Sequence, residues 1–441
     1  MKLLEFLASL ATDTDLMSAF RRSPQAALNS AGLSEEDQRA LLAGDPVALR
    51  LAVYAERNSS AHSANGTATA GAKPEVWPPD PMPEKTAVHP PPPPPPRPGP
   101  GPDPMPEEIA VHPPPPKPGP DPTPEEIAVH PPPPRHSAST NETELAQVEP
   151  LDPEIDLAQD AVLTGLNSSR AMDDDACGVW SSKGLTVVGM GMRAGLHMTI
   201  ETRLAIEQAG RVLYLVADPV SEACIRKLNA NAESLWHMYQ TGKQRIEIYE
   251  TIIAKILDEL ESAGDLCVAF YGHAGVLTYP AWESIRRARA TGKRARMLPA
   301  ISTEDTLFAD LGIDIGRAGL QSYEATRFMY YKYNFDTSAG LLLWQVSVLG
   351  EIEWNPPHAG VRPRLEILTD YLMGHYGPGH EVFLYHAPEF PTSRPLIERV
   401  ALRDLPKAEH ISISTLYIPP RGQPQTNEEN MLALERIEAR K

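Results

Sequence analysis

The sequence is short of aromatic residues, of cysteine and of positive charge. Aromatics make up 6% of its 441 residues, a low share that fits a chain with a large part outside any apolar core. Cysteine occurs three times, at Cys177, Cys224 and Cys267, with no CxxC pair and no metal-ligand spacing. An odd, scattered set excludes a disulfide framework and points to reduced thiols in a cytoplasmic setting, with no metal site. Lys and Arg number 40 against 58 Asp and Glu, a net charge of -18. That disfavours a nucleic-acid partner, which needs a basic face to displace counterions. No apolar run approaches the length of a membrane span, so no membrane partner is expected. The start, MKLLEFLASLATD, superficially resembles a signal peptide, but Glu5 interrupts its apolar run and one Lys precedes it.

What is present is unevenly spread. Hydrophobic content of 41% supports a real core, and the length allows two or three domains. Yet 29 of the 47 prolines fall between Pro74 and Pro134.

Residues 1–56 read as a compact helical module. Leu3, Leu4, Leu7 and Leu10 share one helical stripe. Thr12 or Asp13 can cap a second helix, Ser23-Pro24 a third, and Ser34 a fourth that opens with Glu35, Glu36 and Asp37. Gly32 and Gly44 are stops, and Asp45-Pro46 starts the last helix. Residues 57–183 are polar and Pro-rich and lack the apolar surface to offset their ordering entropy, so a disordered segment is predicted. Within it EEIAVHPPPP occurs at 107–116 and 125–134, with a close copy, EKTAVHPPPP, at 84–93. The PPPP runs favour polyproline II.

Residues 184–420 read as a large α/β domain. LTVVG (185–189), VLYLVAD (212–218), LCVAFYGHAG (266–275), ARMLPAIST (295–303), LLLWQVSVLG (341–350) and EVFLYHA (381–387) are the predicted strands, some with their following turns. A long amphipathic helix is predicted over 248–260, and residues 421–441 form a tail expected to be helical. Strands alternating with helices, with glycines at strand ends, imply open sheets with ligands at their carboxyl edges.

Three stretches could carry chemistry. Gly189-Met190-Gly191 follows a strand but is not the six-residue dinucleotide fingerprint, since position 194 is Ala; a tight strand–helix turn explains it equally well. Tyr271-Gly272-His273-Ala274-Gly275 lets a ligand approach the backbone closely, or is a loop with a surface His. In SLWHMYQTGKQRIEIYE (234–250), Arg245 and Tyr249 would share a helical face. Tyr239 could fold back toward them across Thr241-Gly242. Singly, each is as well explained as a half-buried tyrosine or a solvated arginine.

Taken together, LTVVGMG, SLWHMYQTGKQRIEIY, AFYGHAGV, RARMLPAISTEDTLFADLGID and STLYIPP (414–420) resemble the tetrapyrrole-methylase type of methyltransferase. More narrowly they resemble the borosin family of peptide backbone α-N-methyltransferases, typified by the omphalotin precursor enzyme. LMSAFRRSPQAALNSAGLSEEDQRALLAGD (16–45) is similar to that family's small leader-binding domain. In fused fungal members the methyltransferase precedes the core peptide. Here the order is reversed, and Ala274 stands where close relatives have Pro.

The resemblance implies S-adenosylmethionine as cofactor, S-adenosylhomocysteine as product and no metal. It implies Tyr239 as base, Arg245 as the holder of the tyrosinate or of the amide oxygen, and Tyr249 as the residue that orients the amide. A tyrosinate, with an ordinary pKa near 10, suits that role if Arg245 and the cofactor's sulfonium pull it down. The cofactor would lie along Gly189, Gly191, Tyr271, His273, Gly275, Val276, Ser302 and Thr303, with Gln345, Ser414 and Thr415 as further contacts. The family also implies an interlocked homodimer that modifies its own core peptide, and a downstream protease that releases the product.

Proline nitrogen carries no hydrogen and cannot accept a methyl group. The candidate acceptors are therefore Thr86, Ala87, Val88 and His89, then Ile109, Ala110, Val111 and His112, then Ile127, Ala128, Val129 and His130. Other readings stay open: a core within 137–183, a separate precursor peptide, or Pro-rich tracts that serve SH3-, WW- or EVH1-type partners as a scaffold. A small-molecule tetrapyrrole methylase would have no need of the helical module.

Overall fold

The computed structural model describes residues 2–64, 184–354, 361–409 and 414–438. The Pro-rich repeats, Cys177 and all the candidate acceptor residues lie outside the described residues.

The first part is a bundle of helices α1 (Leu3–Thr12), α2 (Thr14–Arg22), α3 (Pro24–Ala31), α4 (Glu35–Ala43) and α5 (Pro46–Ala64). Asp13 caps α2, accepting from the amides of Asp15 and Leu16. Ser34 caps α4 and Asp45 caps α5. Ser23 precedes Pro24 as expected, but its side chain makes no cap hydrogen bond. The last helix runs on past residue 56 to Ala64.

The first sheet holds β1 (Gly184–Gly189), β2 (Arg211–Leu215), β3 (Ala232–Ser234), β4 (Asp265–Phe270) and β5 (Ala295–Met297) in the order β3-β2-β4-β1-β5. All its ladders are parallel. Parallel neighbours need crossovers, and the connecting helices are α6 (Ile200–Gln208), α7 (Pro219–Leu228), α8 (Arg245–Ala263) and α9 (Tyr279–Ala290). Val187, Leu213 and Val268 are buried in the middle of this sheet, as in a sheet covered on both faces. Helix α8 buries Ile248, Ile252, Ile256 and Leu260 against it, an i, i+4 stripe.

After β5 come α10 (Thr303–Leu311), α11 (Ile315–Ala318), β6 (Leu320–Glu324) and α12 (Ala325–Tyr330). They lead into β7 (Gly340–Trp344), α13 (Val361–Tyr376), β8 (Glu381–His386), β9 (Leu396–Ala401) and β10 (Thr415–Ile418). The second sheet has the order β6-β7-β10-β8-β9 and is antiparallel except for the β6–β7 pair. The strand predicted over 341–350 stops at Trp344. Gln345 takes φ 58, in the left-handed region, and turns the chain into a short 3-10 segment at Val346–Val348. The strand and turn predicted over 295–303 appear as β5 and the loop that leads to Ser302, the cap of α10. A final helix, α14, spans Glu428–Glu438.

The helical bundle packs on the α/β part rather than standing apart. Phe6, Leu7, Leu10, Leu49 and Val53 share one buried cluster with Ala194, Val220, Cys224 and Phe390. Cys224 and Cys267 are both buried, unpaired thiols.

Candidate active site at the carboxyl edge of the first sheet

The strand ends of the parallel sheet point their loops to one side, and the predicted cofactor residues gather there. The loops after β1 and β4 are zipped together by reciprocal backbone bonds. The Gly191 amide donates to Gly272 O at 3.0 Å and the Gly272 amide to Gly191 O at 3.2 Å. This approach requires glycine. A Cβ on Gly189 would sit 2.3 Å from Gly272 O and 2.6 Å from the Ala300 Cβ. Gly191, at φ 72, would put one 2.4 Å from the His197 Cβ. The turn is tight, as its sequence suggests, but no helix starts until Ile200.

The loop after β4 is held from within. The Gly275 amide donates to His273 Nδ1 at 2.9 Å, and Trp282 Nε1 donates to Gly275 O at 3.0 Å. Tyr271 reaches the first sheet through its amide, which donates to Leu215 O. Burial and the nearby carboxylates of Glu389 and Asp218 push its phenol pKa up. Ser302 and Thr303 begin α10. Ser302 makes a reciprocal capping box with Asp305, and Thr303 Oγ1 lies 3.3 Å from Met192 Sδ, in the β1 loop. Gly189, Gly191, Tyr271, His273, Gly275, Val276, Ser302 and Thr303 thus line neighbouring strand ends. The close backbone approach at these glycines, with carbonyls and hydroxyls that can accept hydrogen bonds, fits a cofactor of the S-adenosylmethionine type.

Gln345 directly follows β7, Ser414 directly precedes β10 and Thr415 begins it; β7 and β10 are antiparallel neighbours in the second sheet, with Leu343 paired to Leu416. Ser414 and Thr415 are buried and Gln345 is exposed. Met192, Tyr385 and Tyr417 form a buried cluster, with Tyr271 packed against it, that joins this sheet to the β1 and β4 loops.

Tyr239, Arg245 and Tyr249 do come together. A 3-10 turn at Trp236–Met238 ends at Tyr239, and Arg245 is the first residue of α8. Tyr239 feels the charges of both Arg245 and Tyr249. Its ring packs 4.9 Å from Trp236 and 4.9 Å from Trp354, centroid to centroid. Arg245 Cζ lies 5.6 Å from the Trp354 ring centre, a cation–π distance. The segment before α8 is pinned across to residues 352–354: the Arg245 amide donates to Ile352 O and the Trp354 amide to Lys243 O. Trp236 Nε1 donates to Val216 O, tying this turn to the carboxyl end of β2.

Burial is the largest influence on the Tyr239 phenol and raises its pKa, Tyr249 adds to the rise, and Arg245 pulls it down. The two indoles were missed. Trp236 sits inside the segment singled out in the sequence, whereas Trp354 reaches the site only through tertiary pairing. The Arg245 guanidinium carries another notable feature: its Nε and Nη2 are buried with no hydrogen-bond acceptor among the described residues. Nη2 is 3.5 Å from Glu351 Oε2, close enough to feel its charge.

Residues 184–332 match the family model described as Tetrapyrrole (Corrin/Porphyrin) Methylases. The methyltransferase/ribosomally synthesized type I borosin cyclic peptide precursor of Coprinopsis marcescibilis is 38% identical over 243 residues, 54% of this chain and 62% of that protein. The methyltransferase/gymnopeptides precursor of Gymnopus fusipes is 36% identical over 259 residues, 58% of this chain and 61% of its own length. The methyltransferase/omphalotin A precursor of Omphalotus olearius is 34% identical over 260 residues, 58% of this chain and 62% of that protein. The chain therefore spans less than two thirds of the length of these relatives.

Proposed function

We propose that this chain, whose residues 184–332 form a methylase domain related to the borosin precursors, is a peptide backbone α-N-methyltransferase joined to its own substrate. The acceptors are the amides of the AVH segments that precede each PPPP run. The reading also takes the protein to be a cytoplasmic homodimer whose product is released by a separate protease.

The observation that carries it is the buried Arg245 guanidinium, whose Nε and Nη2 have no hydrogen-bond acceptor among the described residues, with the Glu351 carboxylate 3.5 Å from Nη2. Buried donors of this kind are nearly always satisfied, so they mark the place of a missing acceptor. A peptide carbonyl fits. Trp236, Tyr239 and Trp354 cluster beside it with their rings tilted by 44–68° to one another, an aromatic surface against which a peptide can pack.

An amide nitrogen is a poor nucleophile because resonance engages its lone pair. The negative charge that builds on the carbonyl oxygen as the N–H proton leaves is met by Arg245. The departing proton goes to Tyr239 Oη. Tyr239 must first be ionised, against the burial that raises its pKa. Tyr249 holds the amide plane in line with the transferring group, an alignment worth much of the rate. When bound, S-adenosylmethionine would supply the electrophilic methyl group. Residues Gly189, Gly191, Tyr271, His273, Gly275, Val276, Ser302 and Thr303 would hold the cofactor, with Gln345, Ser414 and Thr415 at the second sheet. Tethering the acceptors in the same chain raises their local concentration to about millimolar.

Tandem mass spectrometry on the purified full-length chain tests this, beside Tyr239→Phe. Backbone methyl increments on the AVH segments, lost in the variant, are the expected result. Methyls confined to 137–183 would move the core and keep the enzyme. An unmodified chain that binds S-adenosylmethionine would rule out self-modification and point to a separate peptide.

A further inference from the structure

Helix α5 sends two side chains out of the helical bundle, Tyr54 to the carboxyl edge of the first sheet and Arg50 to the end of β8 in the second. Tyr54 Oη donates to Ala217 O at 3.0 Å, one residue before the cap of α7. Arg50 Nε donates to Glu389 Oε2 at 2.9 Å, and its Nη2 lies 3.1 Å from His386 Nε2. The two Arg50 contacts join residues more than three hundred positions apart.

The setting of that guanidinium is unusual. Glu389 is 6% exposed and Asp218 1% exposed. Two carboxylates this deep raise each other's cost of ionisation. Burial, and after it the charge of Glu389, push the Asp218 carboxyl up to about 7. Tyr271 stands in the same field: Glu389 and Asp218 act on it from one direction and Arg50 from the other. A guanidinium on the helical bundle therefore offsets acids beside a residue of the proposed cofactor site.

We infer that Arg50 is a positioning residue for methyl transfer: delivered by the docked helical bundle, it holds Glu389 and His386, and so fixes the segment whose Tyr385 and Ala387 lie in the buried cluster that Tyr271 packs against. The inference rests on the reading of Tyr271 as a cofactor contact. It makes the bundle a working part of the cofactor site, so that bundle docking and cofactor binding are coupled, and reciprocally so. Removing one partner from a buried charged cluster leaves the other uncompensated, which costs far more than the pair contributes.

Calorimetric titration with S-adenosylhomocysteine, which binds without turnover, tests this on four full-length proteins. These are the unaltered chain, Arg50→Gln, Arg50→Gln with Glu389→Gln, and Arg57→Gln. Arg57 lies on the same helix and pairs with Glu222 at 3.0 Å, so it reports on docking in general. Arg50→Gln is expected to weaken binding about tenfold or more, one decade being about 1.4 kcal/mol. Adding Glu389→Gln removes the uncompensated acid and should restore affinity to within about threefold, a coupling that a merely structural role does not produce. Arg57→Gln should stay within about twofold. Equal affinity for the unaltered chain and Arg50→Gln would overturn the inference, as would no recovery in the double variant or an equal loss in Arg57→Gln. Absence of binding by the unaltered chain would instead overturn the cofactor reading itself, and the inference with it.

Discussion

A phenol acts as a base only once it has lost its proton, and Tyr239 sits where losing it is costly. Burial raises its pKa, the Tyr249 phenol adds to the rise, and Arg245 opposes both. The ionised fraction below that pKa grows tenfold per pH unit. The single-turnover rate of methylation should therefore climb through neutral and alkaline pH, with a log-rate slope of about one. Tyr239→Phe should lose both the rate and the slope. A rate independent of pH between about 7 and 9 in the unaltered chain would remove Tyr239 from the role of base. Asp218 offers a second test at this scale. Its ordinary carboxyl pKa of 3.8 becomes about 7 in the folded chain. Between those values the native state keeps a proton that the unfolded chain has released. Stability from this group is thus lost as pH rises through the window and is greatest at its acid end. Asn caps a helix as well as Asp does, so Asp218→Asn keeps the bond to the Ser221 amide and removes the titration. Chemical denaturation at about pH 5 and pH 7 should show the variant losing less stability over that interval, by about 1–3 kcal/mol. Identical losses would show that Asp218 is ionised in the fold.

At the scale of elements, the sequence made the parallel sheet legible because its three central strands are short apolar runs, with glycine at or just after the end of β1 and β4. β1, β2 and β4 appear where LTVVG, VLYLV and LCVAF stand. Periodicity also found α8, whose stripe of isoleucines faces one sheet. It overran β7, because nothing in LLLWQVSVLG announces that Gln345 adopts a left-handed backbone conformation. It missed β9, whose LIERVA alternates too weakly at an edge to stand out. The candidate site was half legible for a similar reason. Tyr239, Arg245 and Tyr249 are close in sequence, whereas Trp354, Arg50 and Glu389 arrive by tertiary pairing and look like solvated or isolated residues on their own elements. The glycines between β1 and β4 can be tested directly. Gly189→Ala would drive a methyl group to 2.3 Å from Gly272 O, a clash with backbone that no rotamer relieves. Overpacking of this kind costs about 1–3 kcal/mol, and the two loops must part to relieve it. Binding of S-adenosylhomocysteine should weaken by more than the loss of stability alone accounts for. Unchanged binding would remove the β1–β4 junction from the cofactor site.

At the scale of the molecule, the helical bundle and the methylase domain share a core. Phe6 and Leu7 of α1 are fully buried in a cluster that includes Val220 and Cys224 of α7 and Phe390 beyond β8. The surfaces meet closely enough that a Cβ on Gly195 would lie 2.5 Å from the Ala11 Cβ. Backbone bonds cross as well, the Arg394 amide donating to Gly44 O at 2.9 Å. A bundle tethered only as a recognition module would be expected to open and close at little cost, whereas one that supplies part of a neighbour's core unfolds with it. Truncating a buried Phe removes its transfer energy and leaves a cavity, about 3–5 kcal/mol together. Phe6→Ala should therefore lower the melting temperature of the methylase domain, on the order of ten degrees for a unit of this size. Scanning calorimetry should show one shared transition, shifted in the variant, and bound S-adenosylhomocysteine should raise it in both proteins. Two separated transitions, with the ligand-stabilised one unmoved by Phe6→Ala, would mean that the bundle is an independent domain, and Arg50 could then act on the cofactor site only while docked.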